Sequence, residues 1–298
     1  MKNLLYIELR KSLKNKFFIF SVAFGFVISF FSFLYNFELY RNEMEEIILF
    51  AAEFEREYNP HLGISTLYNS WVGGEASTLG STVFFFIFPL LIAIPYGWSY
   101  CSEMKSGYVK NVVIRSGRMK YFLSKYIATF ISGGLAMMIP LIMNLLLTAS
   151  FIPAYKPDVR YMQYYGIFSN TFMSEIFYQH PNLYVFIYLL IDFFFCGLIA
   201  CLSCTTKEEA EQIIISAANI IKSKVVAILS PFGALLALNY IADIYRHDHN
   251  MEISPMNFLR PCPVSDSTTW IVILIEIVAL ILITLLPMII RGKKHEIY

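Results

Sequence analysis

Two acidic side chains stand where the surrounding sequence offers them no partner. Asp192 interrupts the otherwise uncharged run from Leu183 to Cys204, and Glu276 interrupts Trp270 to Ile290. An ionised carboxylate in hydrocarbon costs several kcal/mol, so each must be protonated, hydrogen-bonded or turned toward a watery cavity. One chemistry this permits is a polar path through a membrane that favours a cationic or amphipathic cargo. The other is a protonated acid bonded between helices, and the sequence leaves both open. Counted from the start of its run, Asp192 lies about 9 residues in and Glu276 about 6, or roughly 13 and 9 Å along a helix, so their expected depths nearly match.

Other chemistries are missing. There is no G-x-x-x-x-G-K-[ST] phosphate loop, so the chain supplies no ATP site of its own, and neither H-E-x-x-H nor G-x-S-x-G occurs. Lys207 to Glu211 begins like an acidic intramembrane protease motif but lacks the Arg that should follow. Thr205 or Thr206 with Glu208 or Glu209 reads instead as a capping box. Cys201-Leu-Ser-Cys204 has redox spacing yet ends an apolar run rather than following a strand, which favours packing. Cys262 stands apart from the other four cysteines, so no disulfide framework is expected. His247-Asp248-His249 lacks a further clustered ligand and reads as a polar turn, not a metal site. No catalytic residue, no metal and no cofactor of the chain's own is assigned.

The elements that must position Asp192 and Glu276 follow from composition. The 298 residues are 57% hydrophobic and 15% charged, with 23 Lys+Arg against 22 Asp+Glu. That composition fits a polytopic membrane protein, and the near-zero net charge disfavours a nucleic-acid partner. Apolar runs predict an all-α single transmembrane domain over 1–298, with six spans at about 17–35, 82–101, 126–150, 183–204, 225–241 and 270–290. Segments 1–16, 102–125, 205–224 and 291–298 hold 17 basic residues, while 36–81, 151–182 and 242–269 hold 6. The positive-inside rule then puts the first set, with both termini, in the cytoplasm of a cell-membrane protein. Leu5, Leu9 and Leu13 beside Lys2, Arg10, Lys11, Lys14 and Lys16 predict an amphipathic helix over 1–16 on the inner leaflet, in contact with membrane lipids. Segment 36–81 is acidic, and its Glu residues mixed with Ile47, Ile48, Leu49 and Phe50 suggest that span one continues outward as a helix. Much of the segment from Asn239 to Ser267 is too polar to enter lipid, and it is expected to form an exterior cap.

The loop from Glu103 to Lys125 holds six basic residues against one acid, with Val109, Val112 and Val113 on one side of a short helix, a surface suited to docking on a cytoplasmic protein. Glu103 at the end of a span, Gly107 four residues on, Lys110 within a helical stretch to Arg115, a break at Ser116-Gly117, then Arg118 and Lys125, together resemble the transmembrane subunits of ABC type-2 exporters. Ser116-Gly117 stands where that family often has a Pro before the Arg. The resemblance implies a coupling helix within 102–125, docked on a separate ATP-binding subunit that holds ATP and Mg. It also implies pairing with a second permease copy, a homodimer being preferred to a heterodimer. Pro89, Pro95, Pro140, Pro231 and Pro287 are candidate hinges for alternating access, or static kinks. Within the family the aromatic spans look most like small Gram-positive peptide-export and immunity permeases, of the phenol-soluble-modulin exporter type. The implied cargo is an amphipathic peptide such as a toxin, bacteriocin or antimicrobial peptide, with lipid, polysaccharide or drug as alternatives. A membrane sensor or scaffold, or an intramembrane enzyme, is the competing class.

Overall fold

A computed structural model describes residues 2–57, 59, 63–75, 77–169, 171–205, 223–249, 251–260 and 268–293. It is ~80% helical, with no strand among the described residues. The helices are α1 (Lys2–Leu13), α2 (Lys16–Glu53), α3 (Leu67–Ser70), α4 (Leu79–Ala93), α5 (Ser99–Lys105), α6 (Tyr108–Ser116), α7 (Arg118–Ala149), α8 (Met162–Tyr165), α9 (Ser174–Gln179), α10 (Pro181–Thr205), α11 (Ser223–His249), α12 (Pro255–Phe258) and α13 (Trp270–Lys293). Five of them, α2, α7, α10, α11 and α13, are long and apolar enough to cross a membrane. The chain therefore has the build of a multi-pass membrane protein.

The expected span at 82–101 is not one helix. Helix α4 stops at Ala93, residues 94–98 form a turn, and α5 restarts at Ser99. Pro95 supplies the physical reason, because its ring lacks an N–H and blocks the approach of the carbonyl four residues earlier. That carbonyl, on Leu91, accepts instead from Ser21 Oγ of α2 at 2.5 Å. Asn15 secures the other side of the break. Its Nδ2 donates to Pro95 O at 2.7 Å while its Oδ1 caps α2 by accepting from Phe18 N at 2.7 Å. At 15 residues α4 is only ~22 Å long.

Helix α2 runs unbroken for 38 residues to Glu53, well past what a bilayer needs, as the mixed Glu and apolar pattern beyond residue 36 implies. Helix α7 is the hub, packing against α1, α2, α4, α10 and α13. Small residues let it approach α10 closely. A Cβ on Gly133 would lie 2.3 Å from the Ala200 Cβ, and one on Gly197 would lie 2.7 Å from the Phe130 ring. Close backbone approach of this kind is how helices gain dispersion contact where the surrounding lipid is as apolar as the partner helix.

The two ends of the bundle differ. One gathers α1, α5, α6 and the start of α7, and is termed the basic end. At the opposite, acidic end, two connecting segments fold inward. Trp71 and Val72 are buried, and Val72 N donates to Asn144 Oδ1 of α7 at 2.8 Å, while Asn144 Nδ2 donates to Ser29 O of α2 at 2.8 Å. The Glu75 carboxylate accepts from Ser32 Oγ at 2.7 Å and from the Thr78 amide at 2.8 Å, closing the start of α4.

The second inward segment, residues 251–260, packs into the helix bundle. Met256, Phe258 and Leu259 are buried in the main core, and the Phe258 ring meets Phe195 at 5.2 Å. Phe195 lies fourteen residues into α10, about 21 Å from its start. Polarity does not keep residues 251–260 outside because the protein satisfies it: Glu252 accepts from Ser254 N at 2.8 Å and Arg246 Nη1 at 3.2 Å, and Arg260 Nη2 donates to Ser81 Oγ at 3.0 Å.

Candidate functional site

Helix α6 is set off as a separate unit by its two flanking glycines. Gly107 at φ 71° and Gly117 at φ 84° occupy backbone conformations that L side chains rarely adopt. The break at Ser116-Gly117 is well closed: Gly117 N donates to Val113 O at 2.9 Å and Ser116 Oγ to Val112 O at 2.7 Å. Val109 is buried and, with Val112 and Val113, packs on Tyr100, Tyr121 and Phe122. The opposite face offers Lys110, Asn111, Ile114 and Arg115 to solvent, with Ile114 75% exposed. Arg118 is half-buried at the start of α7.

Glu103 and Lys125 do not share that outward face. They turn inward to an ion network that joins α1, α5, α6 and α7. Lys125 is fully buried, and its Nζ lies 2.9 Å from Glu103 Oε2 and 3.1 Å from Glu8 Oε2. It also donates to Tyr96 OH at 3.0 Å and Ser99 Oγ at 2.7 Å. Lys11 faces the same two carboxylates from the other side, 3.3 Å from Glu8 and 3.2 Å from Glu103, and donates to Tyr108 OH at 3.1 Å. Tyr121 OH donates to Glu103 at 2.6 Å, and Tyr96 OH donates to Glu8. Two ammonium groups thus balance two carboxylates, which is what allows four charges to leave water. Burial opposes ionisation of Glu103, but Lys125, the Tyr121 hydroxyl and Lys11 outweigh it and hold the carboxyl below the usual range. For Lys11, burial likewise acts against the charge, and the Tyr108 hydrogen bond with Glu103 and Glu8 raises its ammonium above the usual lysine range.

Sequence reasoning missed Glu8, Tyr96, Ser99 and Tyr121. The signal for Glu8 is that it is the lone acid in the first sixteen residues, three before Lys11 and four before Ser12. Helix α1 turns Glu8 and Ser12 inward, a polar stripe, while Leu5, Leu9 and Leu13 form a half-buried flank beside it. The apolar stripe is therefore not the face that anchors α1 to the protein.

Asp192 is fully buried in α10, and neither carboxylate oxygen finds a hydrogen-bond partner among the described residues; the same is true of Glu276 Oε2 of α13. The structure does not join the two acids. Asp192 lies about 17 Å along α10 from Pro181, and Glu276 about 9 Å along α13 from Trp270. Pro89, Pro140, Pro231 and Pro287 all lie inside helices, whereas Pro95 lies in the break after α4. Pro140 packs on α2, where a Cβ on Gly25 would meet its ring at 3.0 Å, and Ser230 Oγ donates at 3.1 Å to Ala227 O, the carbonyl that Pro231 leaves free.

Cys196, Cys201 and Cys204 are buried free thiols, and Cys201 Sγ donates to Tyr126 O at 3.6 Å. Among the described residues no group of His, Cys, Asp and Glu is placed to hold a metal ion. Cys262 and the Thr206 to Glu211 part of the expected capping box lie outside the described residues. Comparison with protein-family models, curated proteins and solved structures finds no match to this chain.

Proposed function

We propose that the chain is the permease subunit of an ATP-driven exporter, moving amphipathic peptides outward across the cell membrane, with both termini and the basic end in the cytoplasm. A separate subunit binds ATP and Mg and docks on α6, and two permease copies, in the preferred case identical, form the path. The observation that carries this reading is the division of labour in segment 102–125. Its outward face, Lys110, Asn111, Ile114 and Arg115, is left free for a partner, while Glu103, Tyr108, Tyr121 and Lys125 tie the same short hairpin to α1 and α7. A push on α6 is then delivered to the hub helix through charged contacts that cannot be stretched cheaply. Asp192, unpartnered on a helix packed against that hub, is the first candidate to meet cargo.

Co-purification of the natively expressed chain tests the docking. An ATP-binding subunit is expected to accompany it and to be lost, with export, in the Lys110→Glu/Arg115→Glu double variant. An intact assembly and unchanged export in that variant would end the proposal.

A further inference from the structure

At the acidic end, a cavity of about 790 Å³ opens between the extension of α2, residues of the segment 64–77 and residues 163–166 at α8, with Asn36, Glu43, Glu46, Asn69, Glu75 and Gln163 among its walls. This volume is ordinary for a ligand site. No Lys or Arg is among the described residues that line it, and three carboxylates are. Two of them are fixed by the fold. Glu43 accepts from the Ile64 and Ser65 amides, and Glu75 from Ser32, Ser77 and Thr78. Glu46 is exposed and makes no ion pair or hydrogen bond among the described residues. Tyr164, 71% exposed, adds an aromatic face to the rim.

We infer that this cavity binds an organic polycation, the lysine- or arginine-bearing part of a peptide. The spacing of the carboxylates selects against a bare metal ion, since no three acidic or imidazole groups among the described residues converge on one point. Negative groups spread around a large volume suit several ammonium or guanidinium groups on one ligand, with tyrosine as a cation–π surface. Buried Asn36 and Glu75 form its floor, and below it Ser81 Oγ donates to Glu75 O at 3.0 Å and accepts from Arg260 at 3.0 Å. A cation seated there touches the mouth of the helix bundle. The inference deepens the export reading by naming the cargo's charge, and rests on it only for where the ligand comes from.

The test uses the full chain in phosphatidylcholine nanodiscs, without an ATP-binding subunit, titrated with pentalysine, pentaglutamate or MgCl₂ and read by calorimetry. One saturable pentalysine site is expected, weakened about fivefold in Glu46→Gln and more than tenfold in Glu46→Lys, and unaltered in Glu45→Gln, which removes a neighbouring charge outside the cavity. Thermal unfolding of each variant checks that it folds, and Gln163→Lys gives an independent block from α8, a different element of the wall. Equal pentalysine affinity in Glu46→Lys and Gln163→Lys, equal binding of pentaglutamate, or displacement by equimolar Mg would overturn the inference. Because no partner is needed, this outcome is separate from the failure of docking at α6.

Discussion

Replacing Lys125 by Met removes one cation from a closed set of four buried or half-buried charges. The side chain is fully buried and stands 2.9 Å and 3.1 Å from the carboxylates of Glu103 and Glu8. Breaking a buried pair by deleting one member costs ~3–5 kcal/mol, because the partner is left charged and unsolvated. Lys11 still faces both carboxylates at 3.3 and 3.2 Å, which places the expected loss near the lower figure, about 3 kcal/mol. At ~2–4 °C per kcal/mol for larger domains, the unfolding midpoint should fall by roughly 6–12 °C. A thiol-reactive dye follows this directly, since Cys196, Cys201 and Cys204 are buried and free and react only once the bundle opens. Lys110→Met is the control: the same chemical change on an exposed side chain should move the midpoint by less than about 2 °C. Adding Glu8→Gln to Lys125→Met should recover part of the loss, since it removes a carboxylate that the first change left underpaired. If Lys125→Met unfolds within about 1 °C of the parent, or if the two changes are additive, the four groups are not one electrostatic unit and the argument for transmission through them fails.

Ser21→Ala strips the donor from the carbonyl that Pro95 frees and should cost about 1–2 kcal/mol; in a Pro95→Ala background, where an amide can return to Leu91 O, the same change should cost little. Gly133→Ala should lower the midpoint by forcing α7 and α10 apart, and Ala200→Gly should restore part of it, because the added Cβ would lie 2.3 Å from the Ala200 Cβ. The midpoint should plateau between about pH 5 and pH 10. Glu103 is held below the usual carboxylate range, so its contribution is present above that range and fades as pH falls through its own lower value. Lys11 is raised, so its contribution is complete below the usual lysine range and disappears only as pH climbs past its folded value. A midpoint that rises as pH falls from 5 to 3 would contradict the Glu103 sign, and one that rises as pH climbs from 10 to 11 would contradict the Lys11 sign.

Long uncharged runs made most of the bundle legible, because nothing but a span needs twenty such residues. The second run failed to announce its break, although Pro95 was visible, since a proline in an apolar run looks the same whether the helix bends or stops. What decided the matter was Ser21 and Asn15 on another helix, ready to bond the freed carbonyls. The loop 102–125 was legible as a hairpin because glycines at 107 and 117 bracket a helical stretch. Its charges were not, because the sign of a side chain does not say which way it faces. Lys125 is drawn inward by Glu8 and Glu103 by Lys11, each more than ninety residues from its partner, a pairing that no local spacing encodes. Likewise residues 251–260 looked too polar for the interior, and only their mutual hydrogen bonds remove that objection.

The inward fold of that last segment has a consequence for biogenesis. Arg260 closes on Ser81, 179 residues earlier in the chain, and Phe258 fills space against Phe195. Ribosomal synthesis delivers α4 long before either side chain exists, so the acidic end must wait, incompletely packed, until the final stretch has been made. Contacts of such separation form late, and the interim state exposes polar backbone to quality control. A nonsense mutation beyond α10 would therefore abolish more than the missing helices: it would strand the earlier ones in an immature arrangement, marking the whole polypeptide for degradation.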